Sequence, residues 1–204
     1  MNRQLTDLGS LALPADRQGE LSHRYVLGVY EMQERLTRYF PDLLLENCSG
    51  GGLQKHQMDH KVFGLFAHKV QNRKIPLVRG FDDVFLAPHS RHTEVRAEDI
   101  HNCPELTVLA ESEEAGVFLA MAKEGRQIFV MGHPEYDRVT LDGEYKRDLG
   151  KGLPIDMPKG YYPGDNAENK PLLLWRSHAN NLYTNWLNYY VYQCTPYDLD
   201  GTPF

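Results

Sequence analysis

The chain has 204 residues, 41% of them hydrophobic and 25% charged, with a formal net charge of −6 from 22 basic and 28 acidic side chains. That length holds one sizeable core, or a core of ordinary size with a small appendage, but not two complete enzymes. The acidic balance and the lack of any long basic run give a nucleic-acid role no electrostatic support, so small polar substrates are the expected partners.

No apolar h-region opens the chain and no run of ~18 apolar residues occurs, which points away from export and the membrane and toward the cytoplasm. The cysteines Cys48, Cys103 and Cys194 show no metal-ligand spacing, and no metal is expected. An odd count in a reducing compartment reads as free thiols, one of which could be a nucleophile.

Residues 1–20 are polar, contain Pro and Gly, and read as an irregular arm. Ser22 can cap a helix in which Tyr25, Val26, Val29, Met32, Leu36 and Phe40 recur at helical spacing as far as Pro41, about five turns. Leu43-Leu-Leu-Glu-Asn47 predicts a short buried strand that delivers Cys48 into Ser49-Gly-Gly-Gly52. Leu53 to Asp59 is polar and marks the expected boundary between a 1–52 fragment and a 53–204 unit.

Beyond it, Val62-Phe-Gly-Leu-Phe66, Leu106-Thr-Val-Leu-Ala110, Val117-Phe-Leu-Ala-Met121 and Gln127-Ile-Phe-Val-Met131 predict strands of one sheet. Arg96 to Ile100 predicts a helical turn, Leu141 to Leu149 a helix ending at Gly150, and Asn180 to Val191 a final helix. Its aromatic residues Trp186, Tyr189, Tyr190 and Tyr192 are assigned to packing. Gly152 to Lys170, rich in Pro, Gly and Asp, predicts a long loop.

His133 and Glu135 stand where an apolar run ends in Gly132-His-Pro-Glu-Tyr-Asp137. If that segment is extended, residues i and i+2 share a face, so a carboxylate can hold one imidazole nitrogen while the other works on a nucleophile. A surface turn punctuated by Gly and Pro is the competing reading.

Lys61-Val-Phe-Gly, Arg79-Gly-Phe-Asp-Asp83, Phe85-Leu-Ala-Pro-His-Ser-Arg91, Gly132-His-Pro-Glu-Tyr-Asp137, Trp175-Arg-Ser-His178 and Asn185-Trp-Leu-Asn-Tyr-Tyr-Val-Tyr192 resemble the homoserine O-acyltransferases of methionine biosynthesis, which transfer succinyl or acetyl groups. Met1-Asn-Arg3, Thr6-Asp-Leu-Gly-Ser10, His23-Arg-Tyr-Val-Leu-Gly28 and Glu46-Asn-Cys-Ser-Gly-Gly-Gly52 resemble a different family, the retaining α-galactosidases. The chain thus reads as a splice, joined between about Gly50 and Met58. Retaining glycosidases need two carboxylates, and the positions expected to carry them lie before residue 1 and after the point where the resemblance stops, so an inactive fragment is expected.

The acyltransferase resemblance implies an α/β fold with a class I glutamine amidotransferase-like (flavodoxin-like) sheet, incomplete here and preceded by a helix-strand appendage. It implies no bound cofactor, acetyl-CoA or succinyl-CoA as co-substrate, and L-homoserine as acceptor. His133 and Glu135 match its catalytic pair, and Lys61, Ser90 and Arg147 its substrate residues. The family's nucleophile lies in a Cys-Trp-Gly elbow that this sequence lacks, which leaves Cys48 as the candidate, closer to Lys61 than the family's spacing. Reduced acyl transfer is expected, with a non-catalytic ligand-binding remnant as the alternative, and uncovered strand edges would favour association of copies.

Overall fold

In the computed structural model the described residues are 53–194 together with 31, 32, 34–36, 38, 39, 45 and 46. The chain divides into two compact units, Met1–Leu43 and Leu44–Phe204. In the first, the described residues are helical and Arg35 pairs with Glu31 one turn away at 2.5 Å. The rest of the helix expected from Ser22, and the arm before it, lie outside the described residues.

The second unit is built on a six-stranded sheet of β1 (Leu45–Glu46), β2 (His56–Val70), β3 (Val84–Glu94), β4 (Leu106–Ser112), β5 (Gly116–Ala122) and β6 (Gln127–Val130). Their spatial order is β1-β6-β5-β4-β2-β3. β1 runs parallel to β6, with Leu45 opposite Gln127 and Glu46 opposite Ile128, while the other pairings are antiparallel. β1, which falls within the stretch of α-galactosidase-like sequence, is thus part of the second unit and its sheet.

β2 starts inside the polar stretch read as a boundary. Its first residues pair with Glu94 and Thr93 of β3, and its register then shifts between Gln57 and Val62. β3 itself was not among the predicted strands. Pro88 interrupts its pattern and cannot donate to a ladder, but β3 ends the strand order, and an edge strand tolerates proline.

Alternate residues of β2 and β3 enter different clusters, as the period of two requires. Phe63, Leu65 and half-buried Leu86 pack with Leu141, Tyr161, Tyr162 and Trp175. Val70, Phe85 and Ala87 pack with Phe118, Leu119, Leu182 and Tyr190. The first cluster seats α2 (Thr140–Gly150), and the second seats α3 (Arg176–Trp186), which continues as a π-helical turn, Leu187–Val191. α1 (Ala97–His101) is short, and Ile100 is its buried residue.

The predicted long loop is irregular apart from a 3-10 turn at Pro163–Asp165, yet it is tied to the sheet. Leu65 N–H donates to Lys159 O at 2.8 Å, and Lys159 N–H donates to Phe63 O at 3.0 Å. Gly64 has φ +144 at this crossing, and a Cβ there would meet the Lys159 backbone. Trp186 and Tyr189 pack half-buried against the α3 core and Tyr190 is buried in it, in line with their packing assignment, while Tyr192 is exposed. Among the described residues, no helix is long and apolar enough to cross a membrane.

Candidate active site

The segment after β6 is a turn, and this corrects the extended geometry expected for His133 and Glu135. Tyr136 N–H donates to His133 O at 3.1 Å across Pro134 and Glu135, and proline presets the second position of such a turn. Glu135 is folded back beside His133, and His133 Nδ1–H donates to Glu135 Oε1 at 2.8 Å. Nδ1 is thereby committed, and the lone pair of the neutral ring lies on Nε2.

Three further contacts fix this turn. His133 N–H donates to Pro88 O of β3 at 2.9 Å. Trp175, buried in the sheet-facing cluster, donates its indole N–H to Tyr136 O at 2.9 Å. Asp137 Oδ1 accepts from Val139 N–H at 2.8 Å and Thr140 Oγ1 at 2.9 Å, so the motif's last residue anchors the start of α2. Those bonds hold the Asp137 carboxyl below its usual range.

α2 carries Glu144 to the middle of the β2–β3 pair, where its side chain is largely buried. Lys61, Phe63 and Ser90 share one face there, since Phe63 and Ser90 are register partners. Ser90 Oγ donates to Glu144 Oε2 at 2.5 Å, and Lys61 Nζ lies 3.6 Å from the same oxygen and 3.9 Å from the Phe63 ring centroid. Tyr136 OH donates to Glu144 Oε1 at 2.9 Å, and the Tyr136 ring stacks on His133. Glu144 thus collects two of the three predicted substrate residues and connects them to the imidazole.

Arg147 lies one turn further along α2 and forks onto Asp148, with Nε–H donating at 2.6 Å and Nη2–H at 3.0 Å. This pairing holds the Asp148 carboxyl below its usual range and raises the guanidinium further. Arg147 is half exposed, and its charge also acts on Glu144. Cys48 lies outside the described residues. Of the other cysteines, Cys103 is a half-buried free thiol. Among the described residues, no group of three or more His, Cys, Asp and Glu side chains could hold a metal ion.

The family profile described as homoserine O-succinyltransferase matches residues 49–197. The chain belongs to that family. A second profile, melibiase, matches residues 1–69 and overlaps the first. Among curated proteins, a homoserine O-acetyltransferase of Lachnoclostridium phytofermentans is 66% identical over 148 residues, covering 72% of this chain and 49% of the relative. One of Agathobacter rectalis is 67% identical over 147 residues, covering 72% of this chain and 47% of the relative. The chain spans about half the length of these curated relatives.

The fold of this family member is that of the class I glutamine amidotransferases. A crystal structure of a Thermotoga maritima glutamine amidotransferase superposes with a TM-score of 0.50 at 13% identity, covering 81% of this chain and 66% of that one. At that identity the likeness concerns the fold alone.

Glu144 and Tyr136 were not singled out from the sequence. A signal for Glu144 was present, because it precedes Arg147 by three residues and shares its helix face. Tyr136 stood inside the His-Pro-Glu-Tyr motif, but only the turn reveals what its ring touches.

Proposed function

We propose that this chain acts as a homoserine O-acyltransferase, moving an acetyl or succinyl group from acyl-CoA to the hydroxyl of L-homoserine through an acyl-enzyme on Cys48. The observation that carries this reading is the His133–Glu135 pair, which commits Nδ1 and leaves Nε2 as the basic nitrogen, close to the Glu144, Lys61 and Ser90 cluster through Tyr136. Homoserine carries an ammonium, a carboxylate and a hydroxyl. Glu144, which Lys61 and Ser90 both reach, suits the first, and the guanidinium of Arg147, released from Asp148, suits the second.

In the first half-reaction the Cys48 sulfur attacks the thioester carbonyl, the carbon–sulfur bond to CoA breaks, and His133 returns the thiol proton to the departing thiolate. In the second, His133 takes the homoserine hydroxyl proton as its oxygen attacks the acyl-enzyme, and the Cys48 thiolate leaves. Glu135 keeps the imidazole oriented and offsets its charge.

Strand direction supports the choice of Cys48. β1 and β6 are parallel, so both run toward the same end of the sheet. In sequence Cys48 follows Glu46 by two residues, and His133 follows Ile128, the register partner of Glu46, by five. In this reading the α-galactosidase-like residues 1–52 replace an elbow strand of the acyltransferase, and residues 53–204 supply the base and the acceptor site.

The test is the intact mass of the protein after incubation with acetyl-CoA or succinyl-CoA, alongside Cys48→Ala. An acyl adduct that is absent from Cys48→Ala and discharged by homoserine is the expected result. A folded chain that forms no adduct yet binds homoserine would overturn the catalytic reading in favour of a ligand-binding remnant.

A further inference from the structure

We infer that Tyr136 is a positioning residue for His133, fixing the plane of the imidazole and linking it to the carboxylate that receives the acceptor. This rests on the acyltransferase reading given above for the site, but the stack itself is independent of that reading. The ring centroids of His133 and Tyr136 are 4.3 Å apart and the planes differ by 9°. The turn produces this pairing, because its first and fourth residues are brought together by the Tyr136 N–H bond to His133 O.

The physical need is clear from what Glu135 alone can do. One hydrogen bond from Nδ1 fixes which edge of the ring faces the carboxylate, but leaves the ring able to swivel about that bond. Glu135 is also 46% exposed, so water competes with the imidazole for its carboxylate. A flat stack on the ring face removes the swivel, and bond and stack together determine the direction of Nε2.

Tyr136 is itself held at several points. Its carbonyl accepts from buried Trp175 at 2.9 Å, and its hydroxyl donates to Glu144 Oε1 at 2.9 Å. Glu144 Oε2 meanwhile receives Ser90 and faces Lys61. The acceptor site and the base are therefore braced through one aromatic side chain, with the hydroxyl acting on Glu144 and the ring acting on His133.

The two ends separate experimentally in the full chain. Tyr136→Phe keeps the ring and loses the hydroxyl, whereas Tyr136→Leu loses both. Two readouts are needed: steady-state acyl transfer, and NMR of protein labelled with 15N-histidine, with the His133 signals identified by their loss in His133→Gln. Tyr136→Phe is expected to retain the ring-current shifts of the His133 ring protons, its Nδ1–H tautomer and kcat within about twofold, while KM for homoserine rises. Tyr136→Leu is expected to lose the ring-current shifts, to mix tautomers and to lower kcat about tenfold, near the upper end of what a ring stack contributes.

Wild-type tautomer and kcat in Tyr136→Leu would overturn the inference. Should Tyr136→Leu fail to fold, Tyr136→Phe still decides, since a fall in kcat with unchanged KM contradicts the assigned split. If the wild-type chain transfers no acyl group, the functional reading fails, and the tautomer and ring-current comparison alone then decides whether Tyr136 positions His133.

Discussion

At the residue scale, the site depends on a few committed hydrogen bonds. His133→Gln removes the group proposed to move the proton in both half-reactions, and on that reading acyl transfer should fall by about 100- to 10,000-fold in a coupled CoA-release assay. Arg147→Lys keeps the charge but loses the fork, so KM for homoserine should rise with kcat nearly unchanged; an unaltered KM would remove Arg147 from the acceptor site. The chemistry-bearing residues His133 and Glu135 were legible because they stand together in a motif. Glu144 was less so, since its role depends on Lys61 and Ser90 arriving from two strands far away in sequence.

At the scale of elements, the His-Pro-Glu-Tyr turn and α2 form one device. The turn pairs His133 with Glu135, and Asp137 starts the helix that presents Glu144. Helix α2 was readable from its start at Leu141 and its end at Gly150, whereas β3 was hidden by Pro88. The crossing of β2 by the Lys159 segment was hidden too, because only Gly64 marks it. Gly64→Ala should be destabilising by about 2 to 4 kcal/mol, since the new Cβ would lie 2.3 Å from Lys159 O at a φ that L-residues avoid. Urea unfolding measures this, and a midpoint equal to wild type would show that the crossing yields easily.

At the scale of the whole molecule, the core encloses two histidines that the proposed mechanism does not use. His68 and His89 are fully buried, their Nε2 atoms 2.9 Å apart, and Arg91 Nε–H donates to His89 Nδ1 at 3.3 Å. Arg91 can only donate, so His89 carries its proton on Nε2 and gives it to His68. Burial pushes His68 down to about 4 and His89 well below its usual value. Both are neutral when folded, while the unfolded chain takes up protons below about pH 6.5. Their stabilising contribution is therefore complete above about pH 6.5 and is lost as pH falls toward 4, by about 3 kcal/mol for His68. Urea midpoints at pH 7 and pH 5 should differ accordingly, and equal midpoints would contradict a neutral buried pair. By itself the sequence determined the family motifs, the apolar runs of β4, β5 and β6, and the His133–Glu135 pair, because each is a local pattern of periodicity or motif. Tertiary structure alone decided that β1 joins β6, that His68 meets His89, and that Lys61, Ser90, Tyr136 and Glu144 converge. Those pairings join residues from separate elements, and local sequence period carries no information about which strand will be a neighbour.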